Sequence, residues 1–240
     1  MNCLLLPENS PLILNPSSPK LAHIKDVIKA RENDEIFAAN LNAPLQICRI
    51  NYTSQGGAIL TPIRPAPIAP LLNITLAVSY SRPQIAQRIL FDAACFGVKH
   101  LVFYPATKGE SAYAQSSLYL NDEYKNWLIK GAEQACASSI PTFSQSSSLE
   151  NAIELSAQIS PQASVRTAPD VYEATTSLNA FATFHSQAKH TIILFGSERG
   201  FANSDRQILR QNNFTLTSLG KRVLRTDSAI IAALGIYAAR

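Results

Sequence analysis

The sequence predicts an α/β protein in which a small β-barrel precedes a larger domain built on a parallel sheet. Three observations lead to this prediction: short β-type segments before residue 68, a proline-rich segment at 61–70, and apolar strands alternating with helical patterns from residue 72 onward. The chain has 240 residues, of which 46% are hydrophobic and 16% charged. It is therefore long enough and apolar enough to form the cores of two such domains.

The first 70 residues contain one helical candidate, Ser18–Lys29, and strand candidates that could form a small barrel. The predicted strands are Asp34–Ala39, Leu45–Ile50 and Gly57–Leu60. Thr61–Pro70 holds four prolines. Because proline removes a backbone donor and stiffens the chain, this segment is a linker or a sheet edge. We place the domain boundary there, which gives domains of residues 1–70 and 71–240.

Residues 71–240 alternate between strand and helix patterns. The predicted strands are Ile74–Tyr80, Val98–Tyr104, Thr191–Phe195 and Phe214–Thr217, and the predicted helices are Arg82–Cys95, Asn121–Ala137, Ser148–Ile159, Ser204–Asn212 and Asp227–Ala239. Ser148 is a candidate N-cap. The last helix is apolar on every side, so we expect it to be covered all round, by the core or by a second subunit.

Charge and cysteine usage narrow the class of function. Residues 191–240 carry seven Lys or Arg and three Asp or Glu, which equals the net charge of +4 of the whole chain. This excess favours an anionic partner, for which RNA is one candidate, although a cationic surface without a specific partner remains an alternative. The four cysteines lack the spacing of a metal site, so buried free thiols are expected and no metal.

No apolar run approaches the roughly 20 residues of a membrane span. The first residues lack the basic segment and the long apolar run of a signal peptide. We therefore expect a cytoplasmic protein without a membrane partner.

Two glycine-containing loops follow predicted strands near the end of the chain. In Gly196–Gly200 the first glycine allows a sharp turn and close approach to a ligand, but alone this pattern is more often a plain turn between strand and helix. The second loop, Leu219–Ser228, carries three cations and one acid. Thr226 or Asp227 can cap the following helix, and the arginines can simply be solvated. Together the loops predict a bipartite ligand site at the edge of the sheet.

The order strand, GxExGF loop, helix, strand, LGxRxLRTDSA loop and apolar helix resembles a known family. That family comprises the methyltransferases that modify N3 of a uridine in small-subunit ribosomal RNA, within the knotted SPOUT superfamily. The resemblance extends over nearly the whole chain: His23–Lys29 and Asn33–Ile36 lie where the family has its barrel motifs, and Gly97–Val98 and Glu133–Gln134 fall at its spacing.

The resemblance implies a fold, a cofactor and partners. Residues 1–70 would form a PUA-like barrel that binds RNA, and residues 71–240 a SPOUT domain whose C-terminal segment threads through a loop, as an α/β-knot. The cofactor would be S-adenosylmethionine. The partners would be small-subunit (16S) ribosomal RNA or the 30S particle, and a second copy of the chain in a homodimer that covers the apolar last helix.

The resemblance also implies site residues. Cofactor binding would involve the segment Tyr172–Leu178 and the two loops, through Ser177, Leu194, Phe195, Gly196, Glu198, Gly200, Leu219, Gly220, Val223, Leu224 and Thr226. RNA binding would involve His23, Lys25, Lys29, Arg31 and Arg199. Because uracil N3 must lose its proton, Arg222 and Arg225 are candidates to stabilise the resulting anion. Glu198 and Asp227 are candidates for the base, or for a carboxylate that orients one of those arginines.

The chain departs from the family pattern at three positions. Ser197 stands where the family has Pro, Arg199 where it has Gly, and Ala137 near the place of an Arg. If the loop needs a positive φ at Arg199, a side chain there would strain it. An alternative function is therefore a SPOUT-fold RNA-binding or ribosome-assembly protein that has lost its catalytic activity or acts on another RNA.

Overall fold

The chain folds into two compact units in the computed structural model, which describes residues 3–159 and 164–239. The first unit comprises Met1–Pro70 and Ile129–Ile140, and the second comprises Leu71–Leu128 and Pro141–Arg240. Ile129–Ile140 joins the first unit although it lies within the predicted second domain. The main-chain oxygen of Glu133 accepts the N–H of Cys3 (2.9 Å), and its Oε1 accepts the N–H of Leu5 (2.9 Å), which anchors the segment to the first strand.

A curled five-stranded sheet forms the first unit, and it fits the predicted barrel-like fold. Its strands are β1 (Leu4–Leu6), β2 (Ile13–Leu14), β3 (Glu35–Asn40), β4 (Gln46–Tyr52) and β5 (Ala58–Pro65), in the order β1-β3-β4-β5-β2. Helix α1 (Pro19–His23) continues into a π-helical turn (Ile24–Ile28). The core of this unit contains buried side chains from the helical turns and from the sheet. Leu21 and Ile24 of the turns pack in one cluster with Ile36 and Ile50 of the sheet.

The proline-rich segment begins as part of this sheet. We predicted a strand that ends at Leu60, but β5 continues to Pro65. Strand β4 pairs with β5 as far as Pro65, whereas β2 pairs only with Ala58 and Ile59. Beyond Leu60, β5 is therefore an edge strand, where a proline costs no ladder hydrogen bond on its open side. The prediction of a sheet edge at this segment is confirmed.

The second unit is built on a seven-stranded parallel sheet, so the predicted α/β class is confirmed. Its strands are β6 (Leu72–Ser79), β7 (Val98–Tyr104), β8 (Thr142–Gln145), β9 (Ser164–Pro169), β10 (Thr176–Ser177), β11 (His190–Phe195) and β12 (Thr215–Ser218). Their order is β10-β12-β9-β11-β6-β7-β8, and every adjacent pair is parallel. The carboxyl ends of all seven strands therefore lie at one edge, where ligands bind in such sheets.

The helices after residue 70 are α2 (Pro83–Cys95), α3 (Ser117–Leu120), α4 (Tyr124–Gln134), α5 (Leu149–Ile159), α6 (Leu178–Phe184), α7 (Asn203–Gln211) and α8 (Thr226–Ala238). A 3₁₀ turn covers Ser111–Gln115. The predicted N-cap of α5 is confirmed, because Ser148 Oγ accepts the N–H of Asn151 at 3.1 Å.

The start of helix α8 corrects one expectation. We expected Thr226 or Asp227 to be its N-cap, but the cap is Arg225, without a side-chain cap hydrogen bond. Asp227 Oδ1 instead accepts the N–H of Ser228 (3.0 Å), one of the free donors of the first turn. The helix packs against α2 and α6, and Ile231 is 41% exposed in the single chain. Cover of this side by a second subunit stays a prediction.

Among residues 3–159 and 164–239, no helix is long and apolar enough to cross a membrane. Within the same residues, no three or more His, Cys, Asp or Glu side chains are grouped so that they could hold a metal ion.

A buried histidine makes the stability of the second unit pH-dependent. His190, at the start of β11, shares a 2.9 Å hydrogen bond with Thr75, and its ring lies 6.2 Å from that of His100. Burial, followed by the charges of His100 and Lys99, lowers the pKa of His190 from 6.5 to about 4. Between pH 6.5 and pH 4, His190 therefore binds a proton in the unfolded chain but not in the folded chain. The stability of the folded state is full above pH 6.5 and falls as the pH decreases toward 4.

We therefore expect that replacing His190 removes part of the acid sensitivity of folding. Between pH 7 and pH 4.5 the wild-type chain should lose about 2 kcal/mol more unfolding free energy than His190→Gln. Urea denaturation at both pH values measures the difference. The control is His185→Gln, a histidine at the end of α6. Equal pH dependence of wild type and His190→Gln would contradict the prediction.

Candidate functional site

A cavity of about 190 Å³ opens at the carboxyl edge of the parallel sheet. It lies beyond the ends of β9, β11 and β12, three neighbouring strands. Its lining consists of Pro169, Asp170, Val171, Tyr172, Phe195, Gly196, Ser197, Glu198, Arg199, Gly200, Phe201, Leu219, Gly220, Arg222, Val223, Leu224, Thr226 and Ala229. The two glycine loops thus meet at one cavity, as the sequence predicts.

The first loop, Gly196–Phe201, is closed by its own serine. Ser197 Oγ donates to the carbonyl oxygen of Gly200 (3.1 Å) and accepts the N–H of Arg199 (3.3 Å), and the N–H of Gly200 donates to the carbonyl oxygen of Ser197 (2.8 Å). Within this loop, all of which the structure describes, Gly200 has a positive φ (+71°) and Arg199 does not. The strain expected at Arg199 is therefore absent, because the glycine after it takes the left-handed conformation.

Gly196 is required by close packing. A Cβ at this position would lie 2.9 Å and 3.0 Å from two ring atoms of Phe201 and 3.2 Å from the carbonyl carbon of Gly200. Phe201 is fully buried in the core of the second unit. Its ring cannot move aside easily, so the loop keeps its shape only with glycine at position 196.

The second loop, Leu219–Arg225, offers open backbone and an apolar surface. Gly220 has φ +113°, and a Cβ there would meet no atom within 4 Å. The side chain of Val223 is 75% exposed and that of Leu224 is 39% exposed, although both are apolar. Exposed apolar side chains beside a cavity are typical of a ligand surface.

A buried ion pair fixes the third wall of the cavity. Asp170 follows β9, and its Oδ2 accepts a hydrogen bond from Arg206 Nε of α7 at 2.8 Å; the two side chains are 1% and 5% exposed. Asp170 Oδ1 accepts the N–H groups of Tyr172 (2.6 Å) and Glu173 (2.9 Å). The Arg206 guanidinium also lies 5.5 Å from the Tyr172 ring centre. This network holds residues 170–173 in place.

A second cavity, of about 470 Å³, lies beside the first. Its lining consists of Arg82, Ile85, Glu198, Val223, Leu224, Arg225, Thr226 and Asp227. Glu198, Val223, Leu224 and Thr226 line both cavities. The site therefore has two compartments, and the second one combines apolar side chains with two arginines and two carboxylates.

The two carboxylates of the second cavity differ in their surroundings. Asp227 is buried, and its Oδ2 accepts hydrogen bonds from Arg225 (2.9 Å) and Arg88 of α2 (3.5 Å). Together with burial, the charge of Asp227 raises the pKa of the nearby Asp92. Glu198 is exposed and makes no hydrogen bond or ion pair to any residue that the structure describes. Asp227 is thus committed to holding Arg225, whereas Glu198 is free to meet a substrate.

Most of the predicted cofactor residues line the first cavity. These are Phe195, Gly196, Glu198, Gly200, Leu219, Gly220, Val223, Leu224 and Thr226. Two others lie elsewhere: Leu194 is fully buried in β11, and Ser177 caps α6 by accepting the N–H of Ala180 at 3.1 Å. Of the predicted catalytic residues, Arg222 lines the first cavity, and Glu198, Arg225 and Asp227 line the second.

The predicted RNA-binding residues divide between the two units. Arg199 lines the first cavity, whereas His23, Lys25, Lys29 and Arg31 lie in or after the helical turns of the first unit. Lys25 and Lys29 line a shallow groove there, in which Lys25 Nζ lies 5.2 Å from the ring centre of Tyr52. Ala137, the third departure from the family pattern, is half-buried against the core of the first unit.

Sequence reasoning missed Asp170, Arg206 and Arg82. Asp170 follows β9, whose sequence Ser-Val-Arg-Thr-Ala-Pro has neither an apolar run nor alternation. For Arg82 the sequence predicts only the start of a helix. The signal that could have identified Asp170 and Arg82 is their position directly after a strand, at Pro169–Asp170 and Tyr80–Pro83. Polar residues that follow parallel strands lie together at one edge of the sheet, where ligands bind.

The first cavity fits a nucleoside-type cofactor. Gly200 and Gly220 leave room on two sides, since a Cβ at either would meet no protein atom within 4 Å. Phe195, Leu219 and Leu224 supply apolar surface, and the loop backbones supply polar groups.

The fold and this cavity define an α/β domain that binds its ligand at the carboxyl edge of a parallel sheet. The chain belongs to the RNA methyltransferase domain family, whose model matches residues 68–238, well over half of the chain.

Individual relatives agree with this membership. The chain is 24% identical over 219 residues to ribosomal RNA small subunit methyltransferase E 1 of Borreliella burgdorferi, covering 91% of this chain and 89% of the relative. It is 24% identical over 229 residues to ribosomal RNA small subunit methyltransferase E of Treponema pallidum, covering 95% and 85%. The family resemblance drawn from the sequence is therefore confirmed.

Solved structures share the fold. The crystal structure of ribosomal RNA small subunit methyltransferase E from Neisseria gonorrhoeae, bound to S-adenosylmethionine, superposes with a TM-score of 0.78 at 18% identity, covering 98% of this chain and 95% of that one. A Legionella pneumophila protein described as a methyltransferase, in complex with the same cofactor, gives 0.76 at 18% identity, covering 100% and 98%.

We expect Gly196→Ala to destabilise the chain by about 1–3 kcal/mol, the usual cost of overpacking, because the new methyl group meets the buried Phe201 ring. Urea denaturation measures the change. The matched control is Gly235→Ala, within α8, where a Cβ has no atom within 4 Å. That variant should gain up to about 1 kcal/mol of helix stability. A Gly196→Ala protein as stable as wild type would show that the loop adapts without cost.

Proposed function

We propose that this protein transfers the methyl group of S-adenosylmethionine to N3 of a uridine in small-subunit (16S) ribosomal RNA. The observation that carries the proposal is the pair of adjoining cavities, in which the glycine loops shape the first and Glu198 faces both. Membership of the RNA methyltransferase family supports the reaction class. The names of the two spirochaete relatives support the substrate.

The first cavity would hold the cofactor. The Neisseria and Legionella proteins were crystallised with S-adenosylmethionine. When bound, this cofactor supplies an electrophilic methyl group. The backbones at Gly196, Gly200 and Gly220 would contact it closely, and Phe195 and Leu224 would cover its apolar parts. Asp170 and Arg206 would keep the remaining wall closed to water.

The second cavity would hold the uracil base. Its flat ring can lie against Val223 and Leu224, and Glu198 can accept the proton from N3. The Arg225 guanidinium can donate to a carbonyl oxygen next to N3, where negative charge develops as the proton leaves. Asp227 would hold Arg225 in position through their 2.9 Å hydrogen bond. Arg222, which lines the first cavity, remains a second candidate for stabilising that charge.

The strand order supports the knotted SPOUT topology. Strand β12 lies between β9 and β10, so the connection from β9 to β10 must cross β12. The N–H of Asp170 donates to Thr217 O (2.8 Å) and the N–H of Thr175 to Leu216 O (2.9 Å), at both ends of this connection. The chain after β12 would therefore pass through the loop that residues 170–175 form.

The first unit would act as a PUA-like RNA-binding domain. Its candidate contacts are His23, Lys25, Lys29 and Arg31. Lysine and arginine attract the RNA backbone through their charge, and an aromatic face such as that of Tyr52 can stack with a base. As a ribosomal RNA methyltransferase, the protein would act in the cytoplasm, on the 30S particle or its precursors.

The purified protein, incubated with S-adenosylmethionine and 30S particles from a strain that lacks its gene, should produce one N3-methyluridine in 16S RNA. Mass mapping of RNA fragments locates it. Glu198→Ala and Arg225→Ala should lower kcat/KM about a hundredfold or more without unfolding, because they remove the base and a charge-stabilising donor.

Glu154→Gln, an exposed carboxylate on α5, is the matched control and should keep wild-type turnover. Wild-type turnover in both site variants would contradict their assignment. If the wild-type protein binds 30S particles but forms no N3-methyluridine, the alternative of an RNA-binding or retargeted protein holds instead.

We further propose that the working unit is a homodimer in which the exposed face of α8 meets a second copy. Ile231→Glu should then convert a particle of twice 26.1 kDa into a monomer. Sedimentation equilibrium measures the mass. Ile63→Glu is the matched control, since Ile63 on β5 is 40% exposed and Ile231 is 41% exposed. A wild-type monomer, or a dimer that survives Ile231→Glu, would contradict the proposal.

A further inference from the structure

We propose that Arg82, held in place by Tyr113, binds a phosphate group of the RNA strand that carries the target uridine. This inference rests on the function proposed above and assigns a substrate-binding residue to the second cavity. The bound phosphate would fix the backbone beside the cavity mouth, so that the base enters between Glu198 and the apolar loop residues.

Arg82 lies at the right place for this contact. It is the N-cap residue of α2 and follows the buried end of β6, so it stands at the carboxyl edge of the sheet. It lines the second cavity together with Glu198 and Arg225. The charge of Glu198 contributes to raising the pKa of Arg82, after the larger effect of the Tyr113 hydroxyl. The guanidinium and the proposed base are therefore within electrostatic reach of each other.

The Arg82 side chain is tethered without being neutralised. Its Nε donates a hydrogen bond to the phenolic oxygen of Tyr113 at 3.3 Å. Tyr113 lies in the 3₁₀ turn Ser111–Gln115 and is half-buried. Within residues 3–159 and 164–239, the two terminal nitrogens of Arg82 have no hydrogen-bond partner. The two terminal nitrogens, which can bind a phosphate through two parallel hydrogen bonds, are thus free. The hydrogen bond of Nε to Tyr113 fixes the direction in which the guanidinium points.

Four other arginines of the second unit differ from Arg82 because they pair with carboxylates. Each of four has a carboxylate within 4 Å: Arg88 and Arg225 pair with Asp227, Arg206 with Asp170, and Arg210 with Glu173. Arg82 pairs with a neutral phenol. Among the described residues no carboxylate lies within 4 Å of Arg82, so its guanidinium remains available to an external anion at the mouth of the cavity that would hold the base.

The composition of the second cavity supports a nucleotide as the occupant. Ile85, Val223 and Leu224 provide apolar surface for one flat base. A base can enter such a cavity only when its nucleotide turns out of the RNA stack, which costs free energy. A hydrogen bond from Arg82 to a backbone phosphate at the cavity mouth would offset part of this cost, because the phosphate takes no part in base stacking. Arg82 would therefore contribute to binding the RNA more than to the transfer step.

Methyl transfer to 30S particles from the gene-deletion strain tests this assignment. Arg82→Gln should raise KM for 30S particles about tenfold and leave kcat within about twofold of wild type, as loss of a phosphate contact does. Arg82→Lys should restore part of the affinity, because lysine binds phosphate as a point charge. Tyr113→Phe should raise KM about threefold, since it removes the tether but keeps the charge. Lys189→Gln, an exposed cation before β11 at the opposite edge, should match wild type.

Two further measurements separate the phosphate contact from other roles. Filter binding of 30S particles at increasing salt should give a slope of log K against log salt that is smaller by about 1 for Arg82→Gln. Calorimetry should give the same Kd for S-adenosylmethionine in wild type and Arg82→Gln. An unchanged KM and salt slope would overturn the assignment, as would a weaker cofactor Kd or a loss confined to kcat. If the wild-type protein transfers no methyl group, the proposed function fails, while the salt slopes still test Arg82.

Discussion

The buried ion pair between Asp170 and Arg206 is the interaction on which the site depends. It joins the end of β9 to α7, and Asp170 also accepts two backbone N–H groups from the segment that follows. Breaking such a pair by removing one partner costs about 3–5 kcal/mol, because the remaining charge stays buried. Replacing both by apolar residues can cost much less. The pair therefore contributes less to overall stability than to the position of residues 170–173, which form one wall of the first cavity.

The first loop closes without the proline that the family pattern has at position 197. A proline at position 197 would restrict φ directly. Ser197 restricts the loop instead through two hydrogen bonds of its hydroxyl, while Gly200 takes the positive φ. Because the loop is closed locally, the side chain of Arg199 is left exposed at the cavity. The departures from the family pattern thus change the surface that a ligand meets, and they leave the path of the backbone closed and unstrained.

The sequence predicted those parts of the fold whose residues follow a simple pattern. The strand at 191–195 is a continuous apolar run, and the helix at 83–95 has apolar residues at helical spacing. Both patterns can be recognised from the local sequence alone. Strand β9 was not predicted, although it lies inside the sheet, because its sequence includes polar residues such as Thr167. The Thr167 hydroxyl donates to the carbonyl oxygen of Thr215 (3.1 Å) and shares a hydrogen bond with the Thr217 hydroxyl (2.9 Å). Its polarity is compensated by residues 48 and 50 positions away, which no local pattern reveals. The ion pair of Asp170 with Arg206, 36 residues apart, was missed for the same reason.

The candidate site could be predicted as a set of residues but not as a set of roles. Glu198 and Asp227 are equal candidates in the sequence, since each is the single acid of its loop. Their difference comes from α2, which brings Arg88 to Asp227. Among the described residues Glu198 makes no hydrogen bond or ion pair within 4 Å and only a longer-range electrostatic interaction with Arg82. A carboxylate oxygen that already accepts hydrogen bonds from two guanidinium groups has fewer lone pairs open to a substrate, so Asp227 is poorly placed to meet the N3 proton. An exposed carboxylate shared by both cavities keeps its lone pairs for a substrate. The environment of each acid, which depends on a helix more than a hundred residues earlier, thus supports the proposal that Glu198 takes the proton and that Asp227 orients Arg225.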